Sequence, residues 1–155
     1  MNTFIGTNDL DLLILQAKAL CENEKDEIAT MANLSALVFN SISDLNWVGF
    51  YIYKDRELVL GPFQGQPACV RLQLQKGVCG TSAAERRTIN VPNVHVFEGH
   101  VACDSASNSE LVVPIIVDET LYGVFDVDSP IFDRFDPALV KFMEDIVEIF
   151  KKTSF

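Results

Sequence analysis

Three acidic residues occupy positions that a β-hairpin would bring together. Asp126 and Asp128 follow an apolar stretch, residues 121–125, and Glu110 begins another one. Side chains alternate across a strand, so the two aspartates should share a face, and a hairpin turning at residues 118–120 would place Glu110 near Asp128. Carboxylates this close repel, so at least one should have a raised pKa and could donate a proton or bind a cation. The alternative is a solvated strand end whose carboxylates cap a turn.

The four cysteines stand at positions 21, 69, 79 and 103. Cys103 lies in an aperiodic segment where access is plausible, and Cys69 begins a predicted strand. Cys79 stands at the start of a predicted short helix, where the helix N-terminus stabilises a thiolate and lowers its pKa. Each of these three could equally be a small buried hydrophobe, and for Cys21, inside the first predicted helix, that is our interpretation.

The same cysteines together with His95 or His100 could in principle bind zinc. Structural zinc usually takes its ligands in close pairs, whereas the nearest two cysteines, Cys69 and Cys79, are ten positions apart. We therefore predict no metal site. The two histidines could act as bases, or could hold the loop by hydrogen-bonding to its backbone.

Two aromatic residues accompany these groups on a predicted strand. Trp47 and Tyr51 are four positions apart and should share one face. They could form a wall of a small apolar pocket or could simply pack in the core.

Apolar periodicity indicates the elements that must position these residues. Helices are predicted after Asn8 and Asp9, over about 26–39, over 77–86, and from Asp136-Pro137 onward; strands are predicted over 47–53, 58–60, 68–74, 88–91, 110–117 and 121–128, with a loop over 61–67. Residues 92–109 show little periodicity, which is typical of a functional or mobile loop. This order predicts an α+β fold in which residues 1–155 form a single domain. Its central antiparallel sheet would have the N- and C-terminal helices on one face and loops covering a ligand pocket on the other.

Composition narrows the classes of function. The 155 residues carry 22 acidic and 12 basic side chains, a net charge of −10, which disfavours nucleic acid and anionic lipid as partners. No apolar run is long enough to cross a membrane, and the N-terminus does not resemble a signal peptide. We therefore expect a cytoplasmic protein, whose thiols are kept reduced and are available for chemistry.

Several short stretches between residues 46 and 136 form a specific pattern. They are 46–51 (NWVGFY), 58–65 (LVLGPFQG), 67–69 (PAC), 77–81 (GVCGT), 94–95 (VH), 99–104 (GHVACD), 107–110 (SNSE), 112–115 (VVPI), 126–130 (DVDSP) and 134–136 (RFD). In these stretches the chain resembles the free methionine-(R)-sulfoxide reductases, enzymes built on a single GAF domain. Cys21 lies outside the family pattern.

The resemblance implies a role for each candidate residue. Cys103 matches the attacking thiol, Cys69 the main resolving thiol, and Cys79 a third cysteine with a lesser part in recycling. The remaining matches concern the substrate site, with the three carboxylates, Glu110, Asp126 and Asp128, holding the substrate and the two aromatics, Trp47 and Tyr51, lining its pocket.

The resemblance also implies the reaction. Free L-methionine-(R)-sulfoxide would be reduced to methionine through a cysteine sulfenic acid and an intramolecular disulfide, which thioredoxin would recycle without a metal or organic cofactor. GAF domains commonly pair through their terminal helices, so the resemblance is compatible with a homodimer. The alternatives are a non-catalytic GAF domain that binds a small ligand, and a redox-sensing domain that uses the same cysteines without turnover.

Overall fold

The computed structural model describes residues 7–101 and 103–155. Its helices are α1 (Thr7–Cys21), α2 (Glu27–Ser41), α3 (Gly77–Glu85) and α4 (Pro137–Ser154); its strands are β1 (Trp47–Lys54), β2 (Glu57–Gly65), β3 (Arg71–Gln73), β4 (Ile89–Val91), β5 (Ser109–Val117) and β6 (Thr120–Ser129). Within this described part, no helix is both long and apolar enough to cross a bilayer.

The strands form one antiparallel sheet in the order β3-β2-β1-β6-β5-β4. Strands β1 and β6 lie at its centre; β1 begins at Trp47, and Asp126 and Asp128 lie near the end of β6, so both strands carry predicted site residues. Helices α1, α2 and α4 pack on one face, while α3 and the loops cover the other. The predicted fold class, with terminal helices on one face and loops on the other, is confirmed.

Successive residues of β6 point to opposite faces of the sheet and pack in two hydrophobic cores. The helical core lies between the sheet and helices α1, α2 and α4, and the second core lies between the sheet and α3 with the loops. Phe125 and Val127 pack in the helical core with Phe50 and Phe150. Val124 belongs to the second core, beneath the loops. The strand therefore offers apolar residues to both faces, and its acidic residues fall on the loop side.

Two of the helices begin at aspartates that cap them. The side chain of Asp26 accepts a hydrogen bond from the Ala29 amide at 2.9 Å, and that of Asp136 accepts one from the Leu139 amide at 2.8 Å. The predicted start of the first helix, however, is wrong. Helix α1 begins at Thr7, so the residues expected to precede it lie in its first turn.

Two predicted strand boundaries are also wrong. The predicted loop over 61–67 is largely strand, because β2 continues to Gly65 with an irregularity opposite Phe50. Pro62 is tolerated there because β3 pairs only with the start of β2, so this stretch has one neighbouring strand. The strand predicted over 68–74 begins only at Arg71. Cys69 therefore lies in the loop before β3 and not at the start of a strand.

Candidate active site

A pocket lies between the sheet, α3 and the loop that follows β4. It encloses about 40 Å³. All the predicted site residues except Cys69 line it: Trp47, Tyr51, Cys79, Cys103, Glu110, Asp126 and Asp128. Sequence reasoning gave no role to three further polar residues that line it, Lys76, Asp104 and Ser107.

The three carboxylates lie together in this pocket, as predicted. Glu110 pairs directly with Asp128 across the β5–β6 ladder, and Asp126 is two residues further along the same face. All three are buried, with 8%, 6% and 8% of the surface of Glu110, Asp126 and Asp128 exposed. The interpretation as a solvated strand end is therefore wrong.

The cluster forms no ion pair within the part of the chain that the structure describes. The Oδ1 atoms of Asp126 and Asp128 are buried and have no hydrogen-bond partner in this part of the chain. Buried carboxylate oxygens without partners are energetically unfavourable, so the site is suited to a ligand that brings positive charge and N–H donors.

Burial changes the acidity of the cluster. Burial, with the negative charge of neighbouring Asp126 and Asp128, raises the pKa of Glu110 well above its usual value. Burial and the charge of Asp128 likewise raise the pKa of Asp126. Burial raises the pKa of Asp128 to about 7, although a hydrogen bond with Glu110 acts in the opposite direction. The predicted raised pKa is confirmed, and these shifts favour a protonated carboxyl group in the cluster.

A disulfide joins Cys69 to Cys103, with their Cα atoms 5.5 Å apart. Both residues are only partly buried. They are 34 positions apart in sequence, so the loop before β3 and the loop after β4 must meet at the mouth of the pocket. The disulfide expected from the family pattern is thus present.

The loop that carries Cys103 is tied to the start of β1 by a residue that sequence reasoning assigned no role. The Asn46 side-chain amide donates hydrogen bonds of 3.0 Å to Asp104 Oδ2 and to Ser107 Oγ. Asp104 Oδ1 also accepts from the Ala106 amide at 2.9 Å. The only signal for Asn46 in the sequence was its place in the first motif, because its partners are about 60 residues away.

Cys79 occupies the third position of α3 and is buried in the floor of the pocket. Burial, together with the charges of Asp126 and Glu110, raises the pKa of its thiol well above the usual value. The prediction that the helix N-terminus would lower this pKa is wrong, because desolvation and nearby acids outweigh the helix dipole. Cys79 and Asp126 are hydrogen-bonded, and the protonated thiol is the donor.

The aromatic residues Trp47 and Tyr51 both pack in the core and line the pocket. Trp47 stacks on Tyr51 with ring centroids 5.8 Å apart and on Phe63 at 5.1 Å, so it is part of the second core. The indole N–H of Trp47 donates to the Gln66 carbonyl oxygen at 3.2 Å, which fixes the ring against the loop before β3.

The histidines differ in position. His95 Nε2 lies 2.8 Å from the Asn108 side-chain oxygen, a contact within the exposed loop that fits the loop-holding alternative. His100 lines the pocket, and burial together with the nearby His95 lowers its pKa. Cys21 is buried in the helical core, on the opposite face of the sheet from the pocket.

This combination of a disulfide at the mouth of a pocket with buried acids in its floor defines a domain whose chemistry is carried by thiols. A model of the GAF domain family matches residues 19–150. The chain is 51% identical over 117 residues to the free methionine-R-sulfoxide reductase of Escherichia coli, covering 76% of this chain and 71% of that protein. It is 38% identical over 152 residues to the free methionine-R-sulfoxide reductase of Saccharomyces cerevisiae, covering 93% and 84%.

A solved structure agrees with these relatives. The structure of fRMsr of Staphylococcus aureus in complex with substrate superposes with a TM-score of 0.92 at 48% identity, covering 99% of this chain and 100% of that one. The chain belongs to the GAF domain family and, within it, to the free methionine-R-sulfoxide reductases.

Proposed function

We propose that this protein reduces free L-methionine-(R)-sulfoxide to methionine, with Cys103 as the attacking thiol and Cys69 as the resolving thiol. The observation that carries the proposal is the position of the Cys69–Cys103 disulfide beside a buried cluster of uncompensated carboxylates. The names of the relatives and the substrate complex of the Staphylococcus aureus protein support the same substrate.

The carboxylates select the free amino acid. The α-ammonium group of the substrate brings one positive charge and three N–H donors. The ionised carboxylates among Glu110, Asp126 and Asp128 accept hydrogen bonds from these donors. A methionine residue within a peptide lacks this group. Its side chain would leave the buried oxygens of Asp126 and Asp128 unpaired, so it would bind poorly.

The aromatic residues and the thiols act at the other end of the substrate. The S-methyl group packs against Trp47, which holds the sulfur toward Cys103. The Cys103 thiolate attacks this sulfur while a protonated carboxyl group of the cluster donates a proton to the sulfoxide oxygen. Methionine is released, and the oxygen remains on Cys103 as a sulfenic acid.

The second half of the cycle restores the thiols. The Cys69 thiol condenses with the sulfenic acid of Cys103, which releases water and forms the disulfide. A thioredoxin dithiol then reduces this disulfide by exchange, so two electrons pass from thioredoxin to the sulfoxide in each cycle. The proposal requires no metal and no organic cofactor. The partial exposure of Cys69 and Cys103 supports it, since the reductant must reach the sulfur atoms.

Three further predictions belong to this proposal. Thioredoxin recycling favours the cytoplasm as the site of action. Pairing of two chains through the terminal helices is supported by Leu12 and Leu15, which are exposed on α1. A minor part of Cys79 in recycling remains a prediction.

The test is an NADPH-coupled assay with thioredoxin and thioredoxin reductase on separated sulfoxide epimers. Turnover is expected with free L-methionine-(R)-sulfoxide, and little is expected with the S epimer or with N-acetyl-methionine sulfoxide. Equal rates on the acetylated compound would contradict the role of the ammonium group. A disulfide that cycles with thioredoxin while no sulfoxide is consumed would instead identify a redox sensor.

A further inference from the structure

We propose that the floor of the pocket is also a binding site for a thiophilic divalent cation of the zinc class, held by Cys79, Glu110 and Asp126. The part of the proposal that concerns competition with the substrate rests on the function proposed above. The binding site itself rests on geometry alone.

The three side chains already converge on one point. The Cys79 Sγ atom and one carboxylate oxygen each from Glu110 and Asp126 all lie within 4.8 Å of one another, and all three residues are buried. In a tetrahedral zinc site sulfur lies at about 2.3 Å and oxygen at about 2.1 Å from the ion, so two ligand atoms are about 3.4–3.6 Å apart. From separations of up to 4.8 Å, side-chain movements on the order of 1 Å would therefore complete the contacts.

A second observation indicates that a cation belongs here. Asp126 Oδ1 is buried against the pocket without a hydrogen-bond partner in the described chain, and so is Asp128 Oδ1. A metal ion would pair with the Asp126 oxygen, and Asp128 or a water molecule would take the fourth position of a tetrahedral site. The pocket therefore has an unsatisfied ligand atom as well as a suitable set of donors.

The thiol distinguishes this cation from the others that a carboxylate cluster attracts. Magnesium and calcium select oxygen ligands, whereas a thiolate selects zinc and its softer relatives. A substrate ammonium group gains its main interactions from the carboxylates. Replacing Cys79 should therefore weaken metal binding more than substrate binding.

The ligand set predicts two properties of the bound ion. Binding must displace the proton of the Cys79 thiol, so the affinity should rise with pH and protons should be released. The ion would occupy the carboxylates that pair with the α-ammonium group, so zinc would inhibit the enzyme in competition with the sulfoxide.

The disulfide-bonded form of the full chain provides the cleanest test. In this form Cys69 and Cys103 offer no thiol, and only Cys21 and Cys79 are free. Titration calorimetry with Zn²⁺ should give one ion per chain, with an affinity at least about tenfold weaker in Cys79→Ser, because a thiolate ligand is lost. Cys21→Ser is the matched control and should bind zinc as the unmodified protein does. Equal affinities of Cys79→Ser and Cys21→Ser, or no binding, would overturn the proposal.

Cobalt provides a second readout, which reports the thiolate ligand directly. Co²⁺ bound by a thiolate gives a charge-transfer absorption in the near ultraviolet. This band should be present in the unmodified protein and in Cys21→Ser, absent in Cys79→Ser, and weakened at a given cobalt concentration in Asp126→Asn. A band that persists in Cys79→Ser would contradict the assigned ligand. Because Asp126→Asn keeps the shape of its side chain, it tests the site even if the serine variant folds poorly.

Competition is measured separately, in single-turnover methionine release from prereduced enzyme. The zinc concentration for half-inhibition should rise at least about tenfold in Cys79→Ser, in line with the loss of one thiolate ligand. Equal sensitivity would show that zinc acts on Cys69 and Cys103 instead, which would overturn the competition. If no sulfoxide is reduced at all, the proposed function fails, while zinc binding by the disulfide-bonded form still decides the metal site.

Discussion

The Tyr51 hydroxyl donates a hydrogen bond of 2.8 Å to the backbone carbonyl oxygen of Cys69. Tyr51 lies on the central strand β1, whereas Cys69 lies in the loop before β3. The bond therefore fixes the backbone of the proposed resolving cysteine to the rigid part of the sheet. It gives Tyr51 a task that residue type and spacing did not indicate.

Tyr51→Phe should separate chemistry from recycling. Loss of one neutral hydrogen bond is worth about 0.5–1.5 kcal/mol, which corresponds to roughly a two- to tenfold change in rate. We expect the thioredoxin-dependent steady-state rate to fall by this factor and single-turnover methionine release to change less. Tyr53→Phe, on the same strand, is the control. An equal loss in both assays would place Tyr51 at the substrate and not at Cys69.

The cysteine variants should differ in the step that they block. Cys103→Ser should release no methionine even in a single turnover, since Cys69 does not line the pocket and the raised pKa of Cys79 disfavours its thiolate. Cys69→Ser should release one equivalent and leave a sulfenic acid on Cys103, detectable by trapping and mass spectrometry. Cys21→Ser should behave as the unmodified enzyme. One equivalent of methionine from Cys103→Ser would move the nucleophile to Cys69 or Cys79.

Neutralising a carboxylate should reduce the chemical rate more than replacing the pocket tryptophan with a smaller aromatic residue. Asp128→Asn removes a charge-assisted hydrogen bond worth about 1.5–3 kcal/mol, so single-turnover rates should fall roughly ten- to over a hundredfold. Trp47→Phe keeps an apolar surface and should cost less. Unchanged rates after separate neutralisation of Glu110, Asp126 and Asp128 would remove the cluster from the mechanism.

The same substitution should stabilise the protein at alkaline pH. The pKa of Asp128 is raised by burial to about 7. The folded state therefore binds a proton that the unfolded chain releases at lower pH, and stability falls as pH rises through this interval. One pKa unit corresponds to about 1.4 kcal/mol. The free energy of unfolding of Asp128→Asn should therefore exceed that of the unmodified protein by roughly 2 kcal/mol or more at pH 8.

The gain should be small at about pH 4, grow toward about pH 7 and then level off, as the pKa of Asp128 requires. Urea denaturation of the disulfide-bonded protein across this range measures it. Asp118→Asn, in the exposed turn between β5 and β6, is the control. A gain that is independent of pH would show that packing, and not the carboxylate charge, is responsible.

The sequence predicted what local patterns determine. Alternation placed Asp126 and Asp128 on one face, and a short turn placed Glu110 opposite Asp128, because such relationships depend on neighbouring residues only. The start of the last helix at Asp136-Pro137 was predicted for the same reason. The disulfide depended on the family pattern, since no local signal relates positions 69 and 103.

What could not be predicted depends on contacts between distant residues. The hydrogen bonds of Asn46 to Asp104 and Ser107 join residues about 60 positions apart. The pKa of Cys79, on helix α3, depends on its burial among acids that come from strands β5 and β6. Only the folded chain shows that these surroundings outweigh the helix N-terminus.

The alternation of apolar and acidic residues along β6 also affects folding, because it favours one register of strand pairing. Phe125 and Val127 face the helical core and Asp126 and Asp128 face the pocket, so a shift of one residue in strand pairing would exchange the two sets. Two carboxyl groups would then be buried among apolar side chains such as those of Phe50 and Phe150, which is energetically unfavourable. The acids proposed to bind the substrate therefore also penalise mispaired sheets during folding. Replacing Asp126 and Asp128 with apolar residues would remove this energetic cost of the shifted register together with the binding site.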